Sequence, residues 1–204
     1  MIDLYTYGTG NGQRASVALE EAGLPYTAHK VDLSKGDQKK PEFLKINPQG
    51  AIPVLVDSDG PGGKPLTIAQ SSGIVLYAAD KSGKLLPKDP AKRAAAFQWF
   101  AQAISDVGPA SGVLFALANA PDQSAKNVEY FEKRLVTQMA NADRRLADVE
   151  YLAGEFSIAD VALYPAVAVR KALLDKQPGL SNLKAWLDRL SARPGIAKGM
   201  TVPG

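Results

Sequence analysis

The chain has 204 residues, of which 46% are hydrophobic and 22% are charged, and its formal net charge is +3 at pH 7. The length suffices for one large domain or two small ones, and the composition is that of an ordinary globular protein. The absence of cysteine excludes protein disulfides, zinc-thiolate sites and any protein thiol nucleophile, and the single histidine, His29, argues against a histidine metal site or a serine–histidine triad. We therefore expect no metal.

The excess of positive charge does not indicate a nucleic-acid partner, because lysines and arginines are interleaved with acids along the chain. No apolar run approaches the roughly 20 residues that a membrane span needs, so we expect no membrane partner. The first residues show no basic stretch followed by an apolar core, as a secretion signal would. We expect a cytoplasmic protein.

The first third of the chain mixes strands and helices. Residues 2–7 are β-rich and are followed by three glycines, and a helix then ends in the expected order at Gly23 and Pro25. Arg14 lies off the apolar stripe of that helix. Residues 26–33 predict a second strand, parallel to the first.

The next segment completes this domain. Residues 41–46 favour a short helix, and residues 52–56 and 66–68 predict an antiparallel hairpin with a glycine-rich turn. A helix over residues 71–81 would end at Gly83. A β-α-β unit followed by a β-β-α unit is the order of a thioredoxin-like domain, which we assign to residues 1–83.

Residues 84–90, with two prolines, predict a linker, and residues 91–204 predict an all-helical domain. The fold class is thus α/β plus all-α, a thioredoxin-like domain followed by a helical bundle. A long helix over 94–117 should kink or break at Gly108-Pro109, and Pro194 should end the last helix. Ser157 and Asp160 have the spacing of a capping box ahead of an apolar run.

Ile52-Pro53 is the first candidate functional feature. A proline at the start of a strand cannot donate a ladder hydrogen bond. If its peptide bond is cis, the backbone groups of Ile52 point outward, and an extended peptide can pair with them as an added strand. An ordinary proline at the first position of an edge strand is the alternative interpretation.

Two further features lie at predicted helix starts. Ser71 with Gln70 could hold a carboxylate and its neighbouring ammonium at a helix N-terminus, although Ser71 could equally be a helix cap. Thr9 and Asn11 could donate to a thiolate, although Asn11 could instead cap the first helix. One good donor would lower a thiol pKa by roughly one to two units, enough to favour the thiolate at neutral pH.

In combination, these motifs resemble the glutathione transferases over nearly the whole chain. The resemblance is carried by residues 18–26 (ALEEAGLPY), 41–53 (PEFLKINPQGAIP), 70–74 (QSSGI) and 157–162 (SIADVA). Within the family the chain is most similar to the nu-like group, which includes bacterial glutathione-dependent disulfide-bond reductases. That likeness is carried by residues 1–5 (MIDLY), Thr9-x-Asn11-Gly12, residues 31–38 (VDLSKGDQ), Gln98-Trp99 and Gly108-Pro109.

The resemblance implies that glutathione is the co-substrate and supplies the missing thiol. It implies that Ile52 pairs with the cysteinyl unit and that Pro53 is cis. Gln70 and Ser71 would then hold the γ-glutamyl end, although most relatives have glutamate in place of Gln70. It also implies that Gln38 lies near the glycyl end.

The same resemblance places Thr9 and Asn11 near the sulfur. Thr6 and Asn11 stand where other classes keep a catalytic tyrosine or cysteine. Core packing is our interpretation of Tyr5 and Tyr7. An arginine of the helical domain reaches glutathione in the nu-like group, and here Arg134 is a candidate, with a solvated surface position as the alternative.

We expect an enzyme in which bound glutathione thiolate conjugates an electrophile, reduces a small disulfide, or does both. A non-catalytic glutathione-binding or regulatory protein that keeps the fold is the alternative. The family resemblance also implies a homodimer, and it leaves open whether one or two glutathiones occupy the site.

Overall fold

The computed structural model describes residues 1–121 and 124–204, and it divides the chain into two units. The first unit comprises Met1–Leu85 together with Ala192–Gly204, and the second comprises Leu86–Ser191. The division separates an α/β unit from a helical unit, as the predicted fold class requires. The division between Leu85 and Leu86 falls inside the predicted linker, and the last residues, which were predicted as part of the helical domain, group with the first unit.

The first unit is built on a four-stranded sheet. Its strands are β1 (Ile2–Thr6), β2 (Tyr26–Lys30), β3 (Val54–Asp57) and β4 (Leu66–Ala69). They lie in the order β2-β1-β3-β4, with β1 parallel to β2 and the other neighbours antiparallel. Its first three helices are α1 (Gly10–Ala22), α2 (Pro41–Ile46) and α3 (Ser71–Ser82). This order confirms the predicted thioredoxin-like fold.

Local sequence explains where these elements begin and end. Thr9 caps α1 at its N-terminus, and Gly23 ends it in the left-handed region with φ 71°. Alternate residues of β1 are buried, and α1 packs against α3. Val31, Phe43 and Val54 form a buried cluster, and the partly buried side chain of Ile52 packs against it.

The segment Ala192–Gly204 contains α10 (Pro194–Gly199), which packs against α1. Both oxygens of the Glu21 carboxylate accept hydrogen bonds from Arg193, at 3.1 and 2.6 Å. A Cβ on Gly199 would lie 2.6 Å from the Cα of Val17, so a glycine is needed for this close approach. These contacts explain why the C-terminal residues belong to the first unit. The helix predicted to end before Pro194 is Ser181–Ser191, but it is not the last one, because Pro194 begins α10.

The second unit is helical throughout its described elements. These elements are α4 (Pro90–Gln102), a π-helical turn (Ala103–Val107), α5 (Gly108–Ala118), α6 (Ala125–Leu146), α7 (Ile158–Ala168), α8 (Lys171–Asp175) and α9 (Ser181–Ser191). The short helix α8 was not predicted. The largest fully buried side chain here is that of Trp186, and Leu135, Met139 and Ile158 are also fully buried.

The predicted interruption at Gly108-Pro109 takes the form of the π-helical turn. Pro109 has no N–H to donate, and the N–H of Gly108 bonds to the carbonyl of Ala103, five residues earlier. The chain therefore remains helical over the 29 residues Pro90–Ala118, a run long and apolar enough to cross a membrane by length and composition. The expectation that no run approaches this length was wrong, although one such helix is weak evidence for a membrane span.

The predicted capping box at the start of α7 is confirmed. Ser157 caps the helix, and its backbone N–H donates to Oδ2 of Asp160 at 3.1 Å. The N–H of Leu152 also donates to this carboxylate, at 3.2 Å. Asp160 is fully buried, and burial raises its pKa to about 6 despite these hydrogen bonds. The motif is therefore a structural one, as predicted.

Candidate functional site

The sheet register brings the predicted site residues to one end of the first unit. Val54, the first residue of β3, pairs with Tyr5 of β1 and with Ala69 of β4, and both partners lie near the ends of their strands. Ile52 is two residues before Val54 in the chain, and it therefore lies between the segments that begin α1 and α3. Thr9, Ile52 and Ser71 converge here because β3 is antiparallel to both neighbours.

The Ile52-Pro53 bond is cis, as the family resemblance implied. β3 lies between β1 and β4, so the edge-strand interpretation of Pro53 was wrong. Within residues 1–121 and 124–204, no described hydrogen bond uses the backbone N–H or C=O of Ile52. These backbone groups are strong donors and acceptors, and an extended peptide could satisfy both.

Thr9 and Asn11 lie at the start of α1, but their capping roles differ from the expectation. Thr9 is the N-cap, and its Oγ1 accepts a 3.2 Å hydrogen bond from the N–H of Gly12. Asn11 lies within the first helical turn and is exposed, so the interpretation of Asn11 as a cap was wrong. The Thr9 hydroxyl still carries its own proton, which it can donate to a ligand.

Gly12 allows this turn to lie directly on the end of β1. A Cβ at this position would lie 2.6 Å from Oγ1 of Thr6, a contact that side chains do not tolerate. Thr6 is itself fully buried beneath the turn. Its hydroxyl therefore does not reach the surface, which argues against a catalytic role for Thr6.

Gln70 and Ser71 mark the start of α3. Gln70 occupies the N-cap position with φ 75° and makes no side-chain capping bond. Its Nε2 donates to Oε1 of Gln49 at 3.3 Å. Ser71 is the first helical residue and is 7% exposed, so the capping interpretation of Ser71 was wrong. The free N–H groups of a helix start favour an anion at this point.

Gln38 lies in a 3₁₀ turn, Asp37–Lys39, that packs against the loop before β3. Lys39 donates through Nζ to the carbonyl of Gly50 at 3.1 Å. The Oε1 atom of Gln38 is buried and has no hydrogen-bond partner among the described residues. A buried acceptor of this kind is costly unless a ligand or a water satisfies it.

Arg14 was missed as a site residue. It is only 3% exposed, and burial lowers its pKa to about 10, which still leaves it charged at neutral pH. Its Nη1 donates to Oδ1 of Asn11 at 2.6 Å and to Oγ of Ser71 at 2.9 Å. The spacing of Asn11 and Arg14 places them on one face of α1, which was the signal available in the sequence.

Tyr5 and Tyr7 lie next to the site residues. Tyr5 packs against the same buried cluster as Ile52, and the carbonyl of Tyr7 accepts a 2.7 Å hydrogen bond from the N–H of Thr9. The Tyr5 ring stacks on His29 with ring centroids 4.7 Å apart and meets Phe43 edge-on, so its predicted packing role is confirmed. Tyr7 is partly buried. Arg134 is exposed on α6 of the second unit, in agreement with a solvated surface position.

The arrangement as a whole suits an anionic peptide. It offers donors at Thr9, Asn11 and Ser71, a helix start, a buried cation and an unpaired backbone segment at Ile52. Among the described residues, no group of three or more histidine, aspartate or glutamate side chains could hold a metal ion. The site can therefore bind and orient a ligand that brings its own reactive group.

Family models match most of the chain. The model described as "Glutathione S-transferase, N-terminal domain" matches residues 11–81, and the one described as "Glutathione S-transferase, C-terminal domain" matches residues 109–198. The chain is 36% identical over 206 residues to the disulfide-bond oxidoreductase YfcG of Escherichia coli, covering 98% of this chain and 94% of that protein. It is 31% identical over 219 residues to YghU of the same organism, covering 98% of this chain and 74% of that protein.

Solved structures agree with this assignment. A glutathione transferase from Pseudomonas putida, crystallised with one glutathione disulfide per subunit, aligns with a TM-score of 0.90 at 33% identity, covering 100% of this chain and 92% of that chain. One from Burkholderia graminis, with two glutathione molecules per subunit, aligns with a TM-score of 0.90 at 33% identity, covering 99% and 88%. The chain belongs to the glutathione S-transferase family.

Proposed function

We propose that this chain is an enzyme that binds glutathione in its first unit and uses the thiolate of that tripeptide to reduce small disulfides. One juxtaposition carries the proposal: the backbone of Ile52, which has no hydrogen-bond partner among the described residues, lies beside the donors Thr9 and Ser71, in a protein without cysteine. The chain has no thiol of its own, so the reagent must come with the ligand.

In this proposal the cysteinyl unit of glutathione pairs with the backbone of Ile52, and its γ-glutamyl carboxylate meets Ser71 at the start of α3. The sulfur then lies near Thr9 and Asn11, whose hydrogen bonds favour the thiolate. The orphaned Oε1 of Gln38 would accept a hydrogen bond from a peptide N–H towards the glycyl end. The protein supplies binding, orientation and thiolate stabilisation.

The reaction balances with two glutathiones. The first thiolate attacks one sulfur of the disulfide, which forms a mixed disulfide and releases one thiolate of the substrate. The second glutathione thiolate attacks the glutathione sulfur of the mixed disulfide. That step releases glutathione disulfide and the second substrate thiolate, and protons from the two glutathiones neutralise both products.

The named relatives support the disulfide reaction over other uses of the same thiolate. YfcG and YghU are disulfide-bond oxidoreductases by name. The Pseudomonas putida relative carries glutathione disulfide, which is the product expected of such a reaction, and the Burkholderia graminis relative carries two glutathiones per subunit. A second glutathione bound beside the first would speed resolution of the mixed disulfide.

Conjugation is a second candidate, favoured by relatives that carry the transferase name. The chain is 32% identical over 208 residues to glutathione S-transferase F10 of Arabidopsis thaliana, covering 95% of this chain and 93% of that protein. In conjugation the same thiolate attacks an electrophilic carbon and displaces a leaving group. The binding geometry of the first unit serves both reactions equally.

Turnover of 2-hydroxyethyl disulfide, coupled to glutathione reductase and NADPH, tests the proposal against turnover of 1-chloro-2,4-dinitrobenzene. Faster disulfide reduction supports a reductase, and faster conjugation favours the second candidate. If neither substrate reacts faster than it does with glutathione in the absence of the protein, calorimetry shows whether the protein binds glutathione at all. A heat of binding then indicates a non-catalytic glutathione-binding protein, and no heat contradicts the proposed site.

We also propose that the protein acts as a homodimer in the cytoplasm. Leu76 on α3 and Phe97 on α4 are large apolar side chains with 42% and 46% exposure, which a partner subunit could cover. A thiol reductant also needs a compartment that keeps glutathione reduced. Light scattering of the wild type and of Leu76→Glu and Phe97→Glu tests the assembly: two-subunit wild type and monomeric variants are expected, and a monomeric wild type would contradict it.

A further inference from the structure

One guanidinium nitrogen contacts residues on both helices that begin at the site. Nη1 of Arg14 donates to Oδ1 of Asn11 on α1 and to Oγ of Ser71 on α3. These two residues lie 60 positions apart in the chain, since 71 minus 11 is 60. Both partners are uncharged side chains that accept hydrogen bonds from Arg14.

The chemistry of arginine determines how both partners present themselves to a ligand. A guanidinium can only donate hydrogen bonds, so each partner must turn an acceptor towards it. The carbonyl oxygen of the Asn11 amide therefore faces Arg14, and the Nδ2 donor group faces away. Ser71 accepts through its oxygen, which leaves the hydroxyl proton available for a second hydrogen bond.

We propose that Arg14 is a positioning residue that sets the donor polarity of the glutathione site at the cysteinyl sulfur and at the γ-glutamyl carboxylate. It orients the Asn11 amide so that Nδ2 can donate to the thiolate, and it leaves the Ser71 hydroxyl to donate to the γ-glutamyl carboxylate. This inference rests on the proposed function, because it takes glutathione as the ligand.

The burial of the cation also favours glutathione binding and the thiolate form of its sulfur. The side chain is almost wholly withdrawn from solvent, so its field is screened less than that of a surface arginine. Both groups that glutathione would bring near Asn11 and Ser71 are anionic. The positive charge therefore favours carboxylate binding and lowers the pKa of the bound thiol.

Two variants separate donor polarity from simple packing. Arg14→Met keeps an unbranched apolar side chain but removes every donor, whereas Arg14→Lys keeps a charged group that can also only donate. Arg193→Met is the matched control. Arg193 bonds Glu21 on α1, the helix that also carries Arg14, and its described contacts lie away from the site. The measured quantities are the dissociation constant of glutathione, the thiol pKa of bound glutathione from thiolate absorbance, and the melting temperature.

We expect Arg14→Met to weaken glutathione binding about tenfold and to raise the bound-thiol pKa by about one unit. Arg14→Lys should recover most of both losses. Arg193→Met should lower the melting temperature while leaving the bound-thiol pKa unchanged. In an Asn11→Ala background, Arg14→Met should shift the thiol pKa much less than it does alone, because the arginine acts on the sulfur partly through that amide.

Unchanged affinity and thiol pKa in both Arg14 variants, with a wild type that binds glutathione, would overturn this inference and leave the proposed function intact. Failure of both variants to fold would also overturn it, because Arg14 would then be a folding residue. A wild type that binds no glutathione would contradict the proposed function instead.

Discussion

The indole Nε1 of Trp186 donates a 2.9 Å hydrogen bond to Oδ1 of Asp160, which joins α9 to the capping box at the start of α7. Both side chains are fully buried, so the bond is shielded from water. Because Asp160 also accepts from the backbone of Leu152 and Ser157, this carboxylate connects three segments of the second unit. Stability of that unit should therefore depend on it.

Trp186→Phe should destabilise the second unit by about 2 kcal/mol, because a buried acceptor loses a donor. The chain contains one other tryptophan, Trp99 on α4, which is half-buried and provides the matched control. Trp99→Phe should cost less than half as much. Urea unfolding followed by circular dichroism measures both, and equal costs would contradict the role assigned to the Asp160 bond.

The lowered pKa of Asp57, at the end of β3, predicts that the free energy of unfolding falls at acid pH. Burial raises its pKa, but hydrogen bonds from Lys81, Tyr77 and the backbone of Asp59 outweigh this effect and lower it to about 2. A carboxylate whose pKa is lower in the folded state stabilises the fold above its unfolded pKa, near 3.8. That contribution is lost as the pH falls from about 4 towards 2.

The variant Asp57→Asn should therefore lose about 2 kcal/mol at pH 7 and less as the pH falls through this window. Asp59→Asn changes an exposed neighbour and should retain the wild-type acid profile. Urea midpoints between pH 2 and pH 7 measure the difference. Parallel profiles for the wild type and Asp57→Asn would show that this carboxylate does not set the acid limit.

Ser71→Ala should weaken glutathione binding about tenfold, because the γ-glutamyl carboxylate loses a charge-assisted hydrogen bond. Ser72→Ala, the next position of α3, should bind as the wild type does. Isothermal titration calorimetry gives both dissociation constants. Equal affinities for the two variants would place the carboxylate elsewhere.

Gln38→Met should weaken glutathione binding several-fold without destabilising the free protein, because its buried Oε1 has no partner among the described residues. Gln13→Met gives the opposite expectation. Its Nε2 donates to the carbonyl of Met200 at 2.9 Å, so its loss should lower the melting temperature and leave affinity unchanged. A Gln38→Met protein that melts lower and binds normally would show that Gln38 is structural.

Features set by neighbouring residues could be predicted from the sequence. Gly23 and Gly83 end their helices in the left-handed region, and the Ser157–Asp160 box forms as its spacing predicts, because each depends on a few adjacent residues. The cis bond before Pro53 followed from the family resemblance.

Features set by packing between distant segments could not be predicted. Arg14 lies off the apolar stripe of α1, yet it is buried because α3 brings Ser71 against it. The helix α10 after Pro194 was missed, because nothing local shows that Glu21 of α1 binds the residues that start it. Ser71 and Asn11 each looked like caps, and only the backbone geometry assigns those positions to Gln70 and Thr9.

A crystal structure of the wild-type chain with glutathione tests the central claim most directly. We expect the cysteinyl N–H and C=O of the tripeptide to form two hydrogen bonds of about 2.9 Å with the backbone of Ile52. The sulfur should lie within hydrogen-bonding distance of Thr9 or Asn11. Glutathione bound away from Ile52, or absent from the site at saturating concentration, would contradict the claim that this chain takes its reactive thiol from a tripeptide held there.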